Sequence, residues 1–213
     1  MNMAVPFAGV RQPEQNYDLL LRETNHRCSN DLQLVVSLLA LQSRRAGDPQ
    51  VRQALEDAKE RVSILARARG VLQREHQPNL QAALQEVCKA LHAQAEPRSI
   101  LVTLDTAQEV HGLSSSQITT LALVVNELAT NAIKHAFEEG AEGHIRVSIS
   151  DQGTRDATVT VDDDGLPFPE PGVSCGGLGL DLMTRLMDSI GGLLIPPPAG
   201  LKVFRLRVPL AEK

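Results

Sequence analysis

The chain has 213 residues, 42% of them hydrophobic, and a net charge of -5 from interspersed basic and acidic side chains. This composition is typical of a folded protein of one or two domains, and it excludes a basic surface built for nucleic acid or anionic lipid. No apolar run approaches the roughly 18 residues of a membrane span, and residues 1–10 lack a signal-peptide pattern, so we expect a cytoplasmic protein.

Two long helices in a hairpin are predicted after a short leader of residues 1–15. No proline or glycine interrupts Tyr17 to Arg45, and after a break at Gly47 to Pro49 the chain is equally clean to Arg69. Apolar stripes at spacings of three and four run along both helices, at Leu32, Val35, Val36 and Leu39 and at Val51, Leu55, Ala58, Val62, Leu65 and Leu72. One hairpin, residues 16–74, cannot cover two stripes, so a four-helix bundle of two chains and hence a homodimer is predicted.

Mixed helix and strand signals follow in residues 75–213. Helices are predicted at Leu80 to Ala95, Ser115 to Glu138 and Leu178 to Ile190, and strands at Ile100 to Leu104, Ile145 to Ser150, Thr158 to Asp162, Leu193 to Ile195 and Lys202 to Val208. This order, with few tight βαβ units, predicts an α+β sandwich with its helices on one face of the sheet.

The first candidate site lies on the first helix. Glu23, His26 and Asn30 share one helical face with further polar residues. A neutral imidazole, with a reference pKa of about 6.5, can attack a phosphoryl group. Glu23 could orient or deprotonate it, and Asn30 could hold a water for the reverse hydrolysis. Taken alone, a histidine on a polar helical face is more often solvated surface.

The second candidate site interrupts an apolar helix. Glu127, Asn131, Lys134 and His135 follow the wholly apolar segment Leu121 to Val125. Polar groups in such a place need a partner, and magnesium triphosphate would supply one. An oxygen of Asn131 suits a hard cation, Lys134 suits a phosphate, and Glu127 could position the attacking group. A structural polar cluster at the end of a helix explains the same pattern.

Two further elements carry acids and glycines. A strand ends in three carboxylates, Asp162 to Asp164, and Gly165. Beside a phosphate site such acids need a cation or a donor group, and an adenine amino group is such a donor. A solvated turn is the commoner outcome for such a sequence. Gly177 and Gly179 open the last predicted helix, where backbone N–H groups can approach a phosphate.

These four elements, in this order, resemble sensor histidine kinases of the HisKA_2 and HWE type, in the GHKL ATPase superfamily. The segment from Glu23 to Gln33 resembles their phosphoacceptor box and Asn126 to Phe137 their N box. Asp163 to Gly165 resembles the G1 box, and Gly177 to Leu180 the G2 box. The resemblance covers the chain from about Asp18 onward.

The resemblance implies a Bergerat ATP-binding sandwich after a dimerising hairpin, with ATP and Mg²⁺ as ligands. His26 would accept the γ-phosphoryl group, Asn131 would hold magnesium, Glu127 and Lys134 would act around the phosphates, and Asp163 would bind adenine. The next acceptor would be an aspartate on a response-regulator receiver domain. Because only a short leader precedes the hairpin, the signal would come from a separate sensor protein, or the chain is a fragment.

The chain departs from the family pattern in its G1 box. Pro167 stands where a second glycine is usual, and the segment from Leu166 to Cys175, the expected lid over ATP, holds three prolines. This favours an alternative, a dimeric histidine phosphotransferase or phosphatase that has lost ATP use, although Glu127, Asn131 and Lys134 are retained. A serine kinase of the anti-sigma type, with the same ATPase fold, would leave the helical hairpin unexplained.

Overall fold

The computed structural model describes residues 13–74, 79–107, 109–151, 155–166, 178–198 and 200–210, and within these ranges not the side chains of residues 13–27, 29, 71–74, 151, 178 and 179. The helices are α1 (Pro13–Arg45), α2 (Pro49–Arg74), α3 (Leu80–Ala95), α4 (Ser115–His135) and α5 (Leu178–Ser189). The strands are β1 (Ile100–Thr106), β2 (Gly143–Asp151), β3 (Asp156–Asp163), β4 (Leu193–Ile195) and β5 (Phe204–Pro209). Among the described helices, none combines the length and the apolar character that crossing a membrane requires.

Helices α1 and α2 pack against each other as the predicted hairpin. In one copy of the chain, several large apolar side chains of this hairpin remain exposed: Leu34 at 63%, Leu38 at 51%, Val51 at 50%, Leu41 at 46% and Val35 at 41%. The other described members of the two predicted stripes are half-buried. Such a contiguous apolar surface is typical of a face that another surface covers.

The sheet has five strands in the order β1-β2-β3-β5-β4. Strands β1 and β2 are parallel and the other pairs are antiparallel. Alternate residues are buried along each long strand, for example Val159 and Val161 but not Thr160, so one face of the sheet packs beneath helices. Helices α3, α4 and α5 supply that cover. The α+β prediction is confirmed.

Helix α4 crosses the core and is fixed at both ends. At its start, Ser114 Oγ accepts from the Gln117 backbone N–H, and Gln117 Oε1 accepts from the Ser114 N–H, which is a capping box. The helix was predicted to reach Glu138 but ends at His135. Carbonyl oxygens there bind donors from outside the helix: that of Ile133 accepts from Arg98 Nη1, and that of Ala136 accepts from the Leu166 N–H at 2.6 Å.

Candidate functional site

A polar pocket lies between α2 and α4, and we call it the α4 pocket. It is lined by Asp57, Glu60 and Arg61 from α2 and by Asn126, Glu127, Thr130, Asn131 and Lys134 from α4. The structure therefore brings together Glu127, Asn131 and Lys134, three of the residues that the sequence predicted as a site. His135 is exposed and is not among the lining residues.

The floor of the α4 pocket contains polar side chains that are almost fully buried. Asn126 is 2% exposed, Thr130 7% and Glu127 8%. Asn126 Nδ2 and Thr130 Oγ1 have no hydrogen-bond partner among the described residues. Leaving one such buried group unpaired costs about 1–3 kcal/mol. Two of them in one pocket indicate a place where a bound polar ligand would complete the hydrogen bonding.

Two ion pairs join α2 to α4 in this pocket. The Arg61 guanidinium donates from Nε to Glu127 Oε1 at 2.9 Å and from Nη2 to Glu127 Oε2 at 2.8 Å. The Lys134 ammonium donates to Asp57 Oδ1 at 2.9 Å. A two-point contact between guanidinium and carboxylate is among the stronger hydrogen-bonded pairs in proteins. The hydrogen bond to Glu127 raises the pKa of Arg61 above its usual value, so this cation stays charged.

The acids of α2 respond differently to the same surroundings. Burial acts to raise the pKa of Asp57, but hydrogen bonds from Lys134 and Gln53 outweigh it and hold the pKa below its usual value. Burial raises the pKa of Glu60, which Lys134 opposes only in part. Asp57 and Glu127 add repulsion to Glu60. The α4 pocket therefore holds three carboxylates, two with close cationic partners and one without such a pair in the described residues.

The acid-rich turn packs against the end of α4. Asp163 Oδ1 accepts from the Gly165 N–H at 3.0 Å and lies 3.8 Å from Lys202 Nζ. Burial raises the pKa of Asp163, and the Gly165 N–H and Lys202 offset part of that rise. Only glycine fits at position 165, since an added Cβ would lie 2.2 Å from the Ala136 carbonyl oxygen. Asp163 and Gly165 thus lie beside the last turn of α4 and are not among the residues that line the α4 pocket.

The other predicted site residues are described only in part. Glu23 and His26 lie within α1, but their side chains are outside the described residues. Asn30 is exposed on α1, as the predicted polar face requires. Gly179 lies in the first turn of α5. Gly177 and the proline-containing segment 167–175 fall outside the described residues.

Sequence reasoning missed Asp57, Glu60 and Arg61. On a helix, charged residues at such spacings are usually solvated surface, so the local pattern did not distinguish them. The sequence did contain one indication. Ile64 and Ala68 are apolar and lie on the same helical face as Arg61, which is not the face of the predicted apolar stripe. These two side chains are 3% and 1% exposed and belong to the same core cluster as α4.

The donor groups of the α4 pocket fit a magnesium-bound triphosphate. An Asn131 amide oxygen suits Mg²⁺, which prefers oxygen ligands and keeps several waters. The Lys134 ammonium suits a phosphate oxygen, and the unpartnered Asn126 and Thr130 groups can bond to a ligand or its waters. Among the described residues, no three His, Cys, Asp or Glu side chains are grouped as a metal site.

Two family models match the chain. Residues 23–95 match a model described as histidine kinase, named HisKA_2. Residues 90–192 match a model described as histidine kinase-like ATPase domain. The two matches overlap at residues 90–95 and together run from α1 through α5. The first contains His26 and the α2 side of the α4 pocket, and the second contains the α4 side.

Curated relatives and solved structures agree with these models. The sensor histidine kinase PdtaS of Mycobacterium tuberculosis is 32% identical over 206 residues, which are 92% of this chain and 40% of that protein. Blue-light-activated histidine kinase 2 of Erythrobacter litoralis is 27% identical over 92% of this chain and 58% of its own length. The chain thus spans about two fifths to three fifths of these relatives.

Among solved structures, the Erythrobacter litoralis EL346 blue-light activated histidine kinase aligns with a TM-score of 0.69 at 24% identity, over 95% of this chain and 62% of that one. The Acinetobacter baumannii histidine kinase AdeS aligns with a TM-score of 0.52 at 16% identity, over 85% of this chain and 98% of that one. At these identities the alignments show a shared fold.

Proposed function

The chain belongs to the HisKA_2 family of histidine kinases, and from this membership we propose that it transfers the γ-phosphoryl group of ATP to His26. The phosphoryl group then passes to an aspartate on a response-regulator receiver domain. As a kinase that draws on ATP and receiver domains, it would act in the cytoplasm. The observation that carries the proposal is the α4 pocket, where Glu127, Asn131 and Lys134 share one face with two unpartnered buried polar atoms.

Each predicted residue has a distinct part in the proposed reaction. Asn131 would hold Mg²⁺, which when bound neutralises charge on the phosphates, and Lys134 would bind a phosphate oxygen. Asp163 would accept a hydrogen bond from the adenine amino group. Its carboxylate lies at the end of β3, where the Gly165 N–H at 3.0 Å fixes its orientation. The glycines Gly177 and Gly179 would let backbone N–H groups approach the phosphates.

In the transfer step, an imidazole nitrogen of His26 would attack the γ-phosphorus, and the bond to the bridging oxygen of ADP would break. Glu23, one helical turn before His26, would orient the ring and take its proton. Glu127 would position the reacting groups from the nucleotide side. Most of the acceleration in phosphoryl transfer comes from such positioning and electrostatic stabilisation. Asn30, one turn after His26 and exposed, would hold water for the reverse hydrolysis.

We also propose that two copies assemble through the hairpin. Leu34, Leu38 and Leu41 are between 46% and 63% exposed on α1, and Val51 on α2 is 50% exposed. A second hairpin that covers these side chains would complete a four-helix bundle. Its burial of apolar surface is the main driving force for association. The stimulus would arrive from a sensor domain or from a separate sensor protein.

One observation favours a second candidate function. Both Glu127 and Lys134 are engaged by α2 in ion pairs, an arrangement that would also serve a structural joint in a protein without ATP use. The chain would then be a dimeric histidine phosphotransferase or phosphatase that exchanges phosphoryl groups between receiver domains through His26. Such a protein would need His26, or Asn30 for hydrolysis, but not Asp163 and Gly179.

The test is incubation of the purified chain with Mg²⁺ and γ-labelled ATP, followed by treatment of the labelled protein with acid and with base. A phosphohistidine loses its label in acid and keeps it in base. We expect acid-labile label on the wild type, none on His26→Ala and normal label on His111→Ala, a matched variant of a histidine that is 67% exposed. A folded dimer that stays unlabelled with ATP but accepts phosphate from a phosphorylated receiver domain would support the phosphotransferase instead.

A further inference from the structure

Helix α2 is seated on the α4 pocket by apolar contacts as well as by charges. Ile64 and Ala68 are 3% and 1% exposed and belong to the core cluster that contains most of α4. Arg61 lies one turn before Ile64, and Asp57 one turn before Arg61. The apolar contact therefore determines the position along α4 at which the side chains of Asp57 and Arg61 lie.

Two charged side chains of α2 each pair with an oppositely charged side chain of α4, the earlier residue of α2 with the later residue of α4. Asp57 binds Lys134 at 2.9 Å, and Arg61 binds Glu127 through two hydrogen bonds at 2.8 and 2.9 Å. We call these four side chains the clasp. The Asp57 carboxylate presents to Lys134 the same chemistry as a phosphate oxygen, which is an anionic oxygen at hydrogen-bond distance. The Lys134 ammonium has further N–H groups, but the Asp57 carboxylate bound to it repels a phosphate that approaches the same cation.

The closed clasp does not satisfy every polar group of the α4 pocket. Asn126 Nδ2 and Thr130 Oγ1 stay unpartnered among the described residues beneath it. Glu60 is held beside Asp57 and Glu127, where burial and both carboxylates raise its pKa. Unpaired buried polar atoms and a crowded third acid both disfavour the closed clasp. A ligand that satisfies these atoms can therefore compete with it.

We propose that Asp57 and Arg61 are an internal ligand of the α4 pocket, and that magnesium nucleotide must displace them to bind. This inference rests on the proposed function, since it assumes that nucleotide binds at Asn131 and Lys134. Displacement removes both ion pairs between α2 and α4, so nucleotide binding and a weaker hold of the hairpin on the ATPase domain become linked. By linkage, whatever holds the hairpin against α4 weakens nucleotide binding by the same factor.

The first test measures nucleotide affinity by calorimetry on the full chain, with Mg²⁺ and a β,γ-imido analogue of ATP. The double variant Asp57→Asn with Arg61→Gln opens the clasp. The matched control is Glu56→Gln with Lys59→Gln, which removes one acid and one base from the same helix but leaves the clasp intact. If the clasp is closed about nine-tenths of the time, the first variant binds the analogue about tenfold more tightly, and the control stays within about twofold of wild type.

The second test detects the clasp without any substitution. A carbodiimide joins a lysine to a carboxylate only where they are in contact, so the nucleotide-free chain yields a Lys134 to Asp57 cross-link in its peptide map. We expect this cross-link to fall in proportion to bound analogue. The pair of Lys89 and Glu86, also at 2.9 Å on an exposed helix face, reports the chemistry of the reagent and keeps its yield.

The outcomes separate the two proposals. Equal affinities of wild type and the clasp variant, or a Lys134 to Asp57 cross-link that persists when calorimetry shows a saturated site, overturn the clasp as a competitor and leave the kinase proposal intact. Failure of all three proteins to bind the analogue contradicts ATP use itself, and the inference falls with it.

Discussion

Gly165→Ala is the substitution for which the structure gives the sharpest expectation. The added Cβ would lie 2.2 Å from the carbonyl oxygen of Ala136 and 2.8 Å from its carbonyl carbon. Both are backbone atoms, so no side-chain rotation relieves the clash. Normal carbon–oxygen contacts begin at about 3.3 Å, so the turn must move by about 1 Å.

That movement breaks the hydrogen bond from the Leu166 N–H to the Ala136 carbonyl oxygen, now 2.6 Å long. Its loss costs about 0.5–1.5 kcal/mol, and overpacking adds about 1–3 kcal/mol. We therefore expect Gly165→Ala to lower the free energy of unfolding by about 2–4 kcal/mol. Nucleotide affinity should fall as well, because the turn carries Asp163.

The assay is urea unfolding followed by circular dichroism, at one protein concentration for all variants because the proposed dimerisation would contribute to stability. Gly47→Ala is the matched control, since a Cβ at Gly47 meets no atom within 4 Å. It should change the free energy of unfolding by less than about 0.5 kcal/mol. A Gly165→Ala protein as stable as that control would refute the close packing of the turn on α4.

Three further predictions concern single side chains. Since burial raises the folded-state pKa of Glu60, its ionisation opposes folding. Glu60→Gln should therefore raise the free energy of unfolding at pH 7 and leave it unchanged below a pH of about 4, as urea titrations at both pH values will show. Thr130→Val removes an unpartnered hydroxyl, so stability should hold or rise by up to about 1 kcal/mol while analogue affinity in calorimetry falls; a loss of more than about 1 kcal/mol would reveal a bonded hydroxyl. Burial raises the pKa of the Cys88 thiol to about 12, so iodoacetamide at pH 8 should modify Cys28 before Cys88, and mass spectrometry finding Cys88 alkylated earlier than Cys28 in folded protein would contradict this.

The elements of the fold followed from the sequence because their signals are local. The helix Leu80–Ala95 and the strand Leu193–Ile195 have the predicted bounds, since periodicity and flanking turn residues decide them. The end of α4 did not follow, because it depends on Arg98, which reaches the Ile133 carbonyl from a separate element. Arg98 and Ile133 are 35 positions apart, so a local sequence pattern does not indicate their contact.

The sequence predicted the α4 side of the candidate site but not the α2 side. Asn131 and Lys134 stand out because they interrupt an apolar helix, and the structure places both in the α4 pocket. Asp57 and Arg61 look like ordinary solvated charges, and only the docking of α2 on α4 gives them partners. Docking between two elements depends on complementary surfaces, which a single sequence does not display.

The measurement that tests the central claim most directly is location of the phosphoryl group by mass spectrometry, at neutral pH, after incubation with Mg²⁺ and ATP. The account predicts phosphate on the peptide that contains His26, and none when Asn131→Ala has removed the proposed magnesium ligand. Phosphate on another residue, or an unmodified His26 in protein shown to bind nucleotide, would contradict it.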